Sequence, residues 1–169
     1  MKIPDINGVA SFPLVQYSDP SVNPPPTDPM QVLDQIESDV PIDLGAYWLA
    51  GGIHVTAFEL IDAFALLTVD FGVDFEIALL GMAGLTVPSD GDEHLAEAEM
   101  AIEVSYTPAK GLLEIGGELT SASYILSPNC NLTGGFAFYI WFSGEHGGEF
   151  VVTLGGYSPK FTPPSYYPS

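Results

Sequence analysis

One stretch of alternating residues, from 96 to 119, constrains the fold more than any other part of the chain. In its first half, apolar side chains occupy every even position, while the odd positions carry mainly glutamate. This period of two is typical of a β-strand with one buried and one solvated face. The alternation resumes after residues 107–111, so the stretch predicts a long β-hairpin. We expect the shared apolar face of this hairpin, which includes Ile102 and Ile115, to be buried.

The loop of this hairpin decides which glutamates lie opposite one another. A two-residue turn would place Glu103 directly opposite Glu114. It would likewise place Glu99 opposite Glu118. A four-residue loop over 108–111 shifts the register by two and makes these acids diagonal neighbours. We favour the longer loop, because its leading proline cannot adopt the positive φ of a favoured two-residue turn. In either register the crowded like charges predict raised glutamate pKa values and a solvated acidic face.

The rest of the chain is predicted to complete a single, mainly β domain. Residues 1–28 are rich in proline and predict an extended arm, whereas residues 29–169 form the β-rich domain. A helix over 29–38 begins it, with Asp28 as cap and Pro29 at the first helical position. Strands are predicted at 47–58, 61–71, 74–87, the two arms of the hairpin to about 126, 132–143 and 150–155, with a turn at 127–131. Their short connections indicate an antiparallel meander of about seven long strands, as an open sheet, a sandwich or a partial barrel.

Some of these strands are apolar at both odd and even positions. The segments 47–58, 61–71 and 132–143 have this character, so we expect both of their faces to be covered. The proline-rich arm and the helix are the available covers for the second face of the sheet. The first and last strands are the candidate edges, where unpaired backbone groups can template pairing with another chain.

Charge and composition exclude several classes of partner. The formal net charge is −19, from 22 acidic residues against 3 basic ones, so neither nucleic acid nor an anionic membrane surface is a predicted partner. A single cysteine permits no internal disulfide. The N-terminus lacks a signal-peptide core, and no segment has the apolar length of a membrane span, so a cytoplasmic location is the default expectation.

No constellation of residues indicates chemistry. His54, His94 and His146 are far apart in sequence, and Cys130 lies in a predicted turn without a neighbouring histidine. We therefore predict neither an enzyme nor catalytic, cofactor-binding or metal-binding residues. The acidic loop 90–93 lacks the spacing of a calcium loop. The sequence leaves open whether this loop or the glutamates of the hairpin bind a cation. Those glutamates are Glu97, Glu99, Glu103, Glu114 and Glu118.

Three segments carry a resemblance to a known family. They are YWLAGGIHVTAFELIDAFALLTVDFG at 47–72, SYILSPNCNLTGG at 123–135 and LTGGFAFYIWFSGEHGGEFVVTLGGYSPKFTPPSYYP at 132–168. The chain resembles a domain of unknown function found in very large multi-domain bacterial (actinobacterial) and fungal proteins. The resemblance extends over nearly the whole chain. It implies a β-rich fold without an assigned activity, so no catalytic residue is carried over.

Two hypotheses of function follow. In the first, the chain is a non-catalytic β module for structure or assembly, which associates with itself or with neighbouring β domains through its edge strands. In the second, it is a binding module that holds an apolar small molecule or lipid against its aromatic-rich sheet. The aromatic side chains of that site would be Phe136, Phe138, Tyr139, Trp141 and Phe142.

Overall fold

The protein is mainly β structure, as the sequence predicts. The computed structural model describes residues 3–17, 28–40, 44–58, 60–72, 75–88, 94–157 and 160–168. The helices there are a 3₁₀ helix Ile6–Ser11, α1 Pro13–Gln16 and α2 Pro29–Asp39. The strands are β1 Tyr47–Ala57, β2 Ile61–Phe71, β3 Glu76–Val87, β4 Ala96–Thr107, β5 Leu112–Leu119, β6 Tyr124–Ile125, β7 Ser127–Asn131, β8 Gly135–Trp141 and β9 Phe150–Leu154. Among the described residues, no helix has the length and apolar character needed to cross a membrane.

All the strands belong to one open antiparallel sheet. Its order is β1-β2-β3-β4-β5-β8-β9, and the short strands β6 and β7 branch from the end of β4. Consecutive strands therefore lie side by side through most of the sheet, which is the predicted meander. The described residues leave β1 and β9 as the two edges, as expected.

The register of the β4–β5 hairpin follows the longer of the two predicted loops. Thr107 pairs with Leu112, which leaves a four-residue loop over 108–111. Gly111 closes the loop with a φ of 60°, a left-handed conformation that glycine adopts without steric cost. Glu103 lies opposite Gly116 rather than opposite a second acid, so the glutamates are diagonal neighbours.

The N-terminal segment 3–17 covers one face of the sheet. Asp5 caps the 3₁₀ helix, because its side chain accepts a hydrogen bond of 3.1 Å from the Gly8 amide. Beyond this cap the segment packs apolar side chains onto β2, β3 and β4 and forms the main core. The buried members of that core are Val9, Phe12, Val15, Leu66, Leu80 and Ala101. The prediction that the arm covers a face of the sheet is therefore confirmed for residues 3–17, while 1–2 and 18–27 lie outside the described residues.

The helix α2 begins as predicted but does not serve as a cover. Asp28 accepts a hydrogen bond of 3.0 Å from the Met30 amide, and Pro29 is the first helical residue. Met30 and Leu33 are exposed, so these two apolar side chains of the helix are not buried on the sheet. Its nearest neighbour among the helices and strands is α1.

Three local predictions are wrong. The segment 127–131, expected as a turn, forms the short strand β7, which pairs with β6. The arm, expected to be extended, contains the 3₁₀ helix and α1. The segments 47–58 and 61–71, expected to be covered on both faces, each leave large apolar side chains of one face exposed, because the N-terminal segment packs on the opposite face of the sheet.

Candidate functional site

The pairing register gives the sheet two chemically different faces. Directly paired residues of adjacent strands project to the same face, so the register can be followed from β1 across to β9. We name the apolar face as the odd-numbered residues of β1, β2, β3 and β5 together with the even-numbered residues of β4, β8 and β9. The remaining residues of these seven strands form the mixed face.

The apolar face carries no charged side chain along seven paired strands. It consists of aliphatic, aromatic and glycine residues throughout, and its only polar atoms outside the backbone are the hydroxyls of Tyr47 and Tyr106. Every Asp and Glu within the strands lies on the mixed face instead: Asp62, Asp70, Glu76, Glu97, Glu99, Glu103, Glu114 and Glu118. The mixed face therefore carries all of the strand carboxylates, and the apolar face carries none of them.

Large side chains of the apolar face are open to solvent. Ile53 is 66% exposed, Leu67 48% and Val152 60%, and these residues belong to three different strands. Monomeric soluble proteins rarely leave a contiguous apolar patch of this extent uncovered, and larger patches mark interaction sites. We therefore take the apolar face as the candidate functional surface.

This arrangement reverses the face assignment made from the hairpin alone. Ala101 and Ser105, on the acidic side of β4, are buried, and Ala101 belongs to the core that the N-terminal segment forms with the sheet. Ile102 and Ile115, on the apolar side, are only half-buried, so the prediction of their burial is wrong. The predicted solvated acidic face is wrong for the same reason, since the N-terminal segment packs on that side.

An acidic cleft of about 470 Å³ opens between the 3₁₀ helix and the mixed face. Its lining includes the carboxylates of Asp5, Glu103, Glu114 and Glu118 together with the Tyr139 ring. The Glu114 carboxylate is held in position within the cleft by a hydrogen bond of 3.1 Å from the Ser105 hydroxyl. The carboxylates that line the cleft thus come from both the N-terminal segment and the hairpin.

Two groups in this cleft have shifted ionisation. Burial, followed by repulsion from Glu114, Asp5 and Glu76, raises the pKa of Glu103 to about 7. Burial and the adjacent Glu114 carboxylate raise the pKa of Tyr139 as well, so its hydroxyl keeps its proton. The direction of the pKa shift at Glu103 is the predicted one, but burial rather than repulsion between the glutamates is its larger cause.

The acidic residues do not assemble a metal site in the part of the chain that is described. Across residues 3–168 with their gaps, no three His, Cys, Asp or Glu side chains are grouped to hold a metal ion. The loop 90–93 lies outside the described residues.

The histidines and the cysteine lie in separate environments. His54 hydrogen-bonds Asp62 at 2.6 Å on the exposed end of β1, and His94 contacts the Pro88 carbonyl at 2.9 Å. His146 stacks on the Tyr166 ring, with the centroids 3.8 Å apart. Cys130 is exposed on β7. The three histidines thus contact three different partners.

The aromatic residues predicted to line one ligand site are divided between the two faces. Phe136 and Phe138 belong to the apolar face, and Phe142 packs edge-on against Tyr106 there. Tyr139 and Trp141 project to the mixed face. Trp141 is buried there by Leu112, Val151 and the C-terminal tyrosines Tyr166 and Tyr167. These five side chains therefore do not surround a common ligand.

No curated protein sequence matches the chain, and no solved structure matches it either. One family does match, and it does so over residues 1–169. The chain therefore belongs to the Family of unknown function (DUF6603).

Proposed function

We propose that the chain is a non-catalytic structural module whose β-sheet assembles with other β structure. The observation that carries this proposal is the apolar face, which spans seven strands without a charge and leaves residues such as Leu49 and Ile53 exposed. Removal of this area from water favours association in proportion to its size. A module in a long multi-domain protein would meet such a partner in a neighbouring β domain, and an isolated module would meet it in another copy.

The edge strands offer a second route to the same function. Both β1 and β9 pair on one side only within the described residues, so each has a row of backbone groups open to another strand. Strand addition at an edge supplies main-chain hydrogen bonds, while packing on the face supplies apolar burial. Neither route requires a catalytic group, which agrees with the separate environments of the histidines and Cys130.

Sedimentation velocity over a range of protein and salt concentrations tests this function. With a formal net charge of −19, copies of the chain repel one another at low salt, so association should strengthen as salt screens the repulsion. A monomer at every protein and salt concentration would contradict the proposal. Native mass spectrometry of the same sample would show a co-purified lipid if the chain were instead a carrier of apolar ligands.

A further inference from the structure

The apolar face is large enough to form a stable interface by itself. Its seven strands leave six gaps of ~4.8 Å, so the face is about 29 Å wide. Strands of 5 to 12 residues, at ~3.4 Å per residue, give it a projected area on the order of 900 Å². Two such faces in contact would bury roughly 1,800 Å², which lies within the range of specific, stable interfaces.

The distribution of charge favours a second copy of this chain as the occupant. Two molecules that met through their apolar faces would bring no strand carboxylate to the interface, because all of these lie on the mixed face. The acidic cleft and the N-terminal segment would lie on the two outer surfaces of the pair. An anionic lipid surface is a poorer occupant, since the chain as a whole carries a formal net charge of −19.

The shape of the surface also favours another sheet. Apolar sheets pack face to face about 10 Å apart with their strands aligned to within about 30°. The same face on both molecules gives a two-fold contact, which closes at the dimer. Pairing of β1 of one molecule with β9 of another would be head-to-tail and would continue into longer assemblies.

We infer that two copies of this chain associate face to face through their apolar faces, forming a closed dimeric β-sandwich with the N-terminal segments outside. This inference rests on the proposed assembly function and names its partner. It gives specific roles to Val55 and Leu67, which would be buried in the dimer but are 52% and 48% exposed in the single chain.

A pair of neighbouring substitutions on β1 tests the inference. Val55→Lys places a charge on the apolar face, whereas Thr56→Lys places the same charge on the opposite face of the same strand, at a position that is also exposed. Leu67→Lys on β2 is a second test nearer the middle of the face. Far-UV circular dichroism on each variant establishes that it folds, and if Leu67→Lys does not, Val55→Lys decides the outcome.

Sedimentation equilibrium of the full chain measures the dissociation constant of each variant. We expect Val55→Lys and Leu67→Lys to raise it by at least ~10-fold, because an unpaired charge would be buried in the interface. Thr56→Lys should leave it within about two-fold of the unsubstituted chain, since exposed charges act mainly through screened, long-range repulsion.

The possible results separate this inference from the function on which it rests. Association that is unchanged by Val55→Lys, or equally weakened by Thr56→Lys, would overturn the face-to-face dimer. Assemblies that grow beyond two copies would overturn it as well, and both results leave assembly through the edge strands standing. A chain that remains monomeric under all conditions would overturn the assembly function together with the dimer.

Discussion

The unequal cover of the two sheet faces makes a prediction for two adjacent leucines of β3. Leu80 is fully buried beneath the N-terminal segment, whereas Leu79 projects to the apolar face and is 36% exposed. Leu→Ala removes three carbon atoms in both cases, so the two variants differ in their surroundings and not in their chemistry. The same comparison is available on β2, where Leu66 is 5% exposed and Leu67 is 48% exposed.

The expected costs follow from burial. Leu80→Ala loses about 2 kcal/mol of transfer free energy. It also leaves a cavity, because closely packed neighbours relax only in part, so the total cost is about 3–4 kcal/mol. For Leu79→Ala a third of the side chain already contacts water and no closed cavity remains, so we expect a cost of about 1 kcal/mol. The free energy of unfolding of Leu80→Ala should thus lie about 2 kcal/mol or more below that of Leu79→Ala.

Equilibrium unfolding in urea measures this difference, at a protein concentration low enough to keep the chain monomeric. Unchanged m-values would show that the comparison concerns the folded state and not the compactness of the unfolded chain. Equal costs at Leu79 and Leu80, or a larger cost at Leu79, would refute the assignment of the covered and uncovered faces. The Leu66→Ala and Leu67→Ala pair should repeat the same order.

Two further predictions concern the acidic cleft and the N-terminal segment. Because burial raises the pKa of Glu103 from 4.5 to about 7, the folded chain binds this proton more tightly than the unfolded chain does, and the free energy of unfolding should fall as the pH rises through that window. With solvent screening, the loss of stability is on the order of 1 kcal/mol. Urea titrations at pH 5 and pH 8 measure this loss, and Glu103→Gln should remove the difference between the two pH values. Glu118→Gln, which deletes an exposed carboxylate from the same cleft, should retain the difference. Val9→Asp should make the N-terminal segment more susceptible to limited proteolysis, because Val9 is fully buried. Ala10→Asp adds the same charge at an exposed position and should leave the rate of cleavage unchanged. Equal cleavage of both variants would contradict the cover described for residues 3–17.

Local signals predicted the strands and the hairpin register well. The alternation from 96 to 119 and the leading proline of the loop were sufficient for the pairing of Thr107 with Leu112. Short connections were sufficient to predict an antiparallel meander, because consecutive antiparallel strands most often lie side by side, whereas they left open whether the sheet closes. The cap at Asp28 likewise follows from side-chain chemistry close in sequence.

The covered face could not be predicted from β4 alone. Its glutamates predicted solvent on one side, but that same face continues onto Leu66 of β2 and Leu80 of β3, where the N-terminal segment is buried. A face belongs to the sheet and not to one strand, so its cover depends on the register of all its neighbours. The unbroken apolar face includes alternate residues of β2, β3 and β4, and it emerges only when the register between these strands is known.

Hydroxyl-radical footprinting with mass spectrometry tests the central claim, that the apolar face is an interaction surface, most directly. The method reports the solvent exposure of individual side chains, so it can compare the two faces of the sheet at low and high protein concentration. We predict that labelling of Leu49, Ile53 and Leu67 falls as concentration rises, while labelling of the exposed Thr56 and Glu118 on the mixed face stays constant. Constant labelling of the apolar face while the sedimenting mass increases would contradict the account.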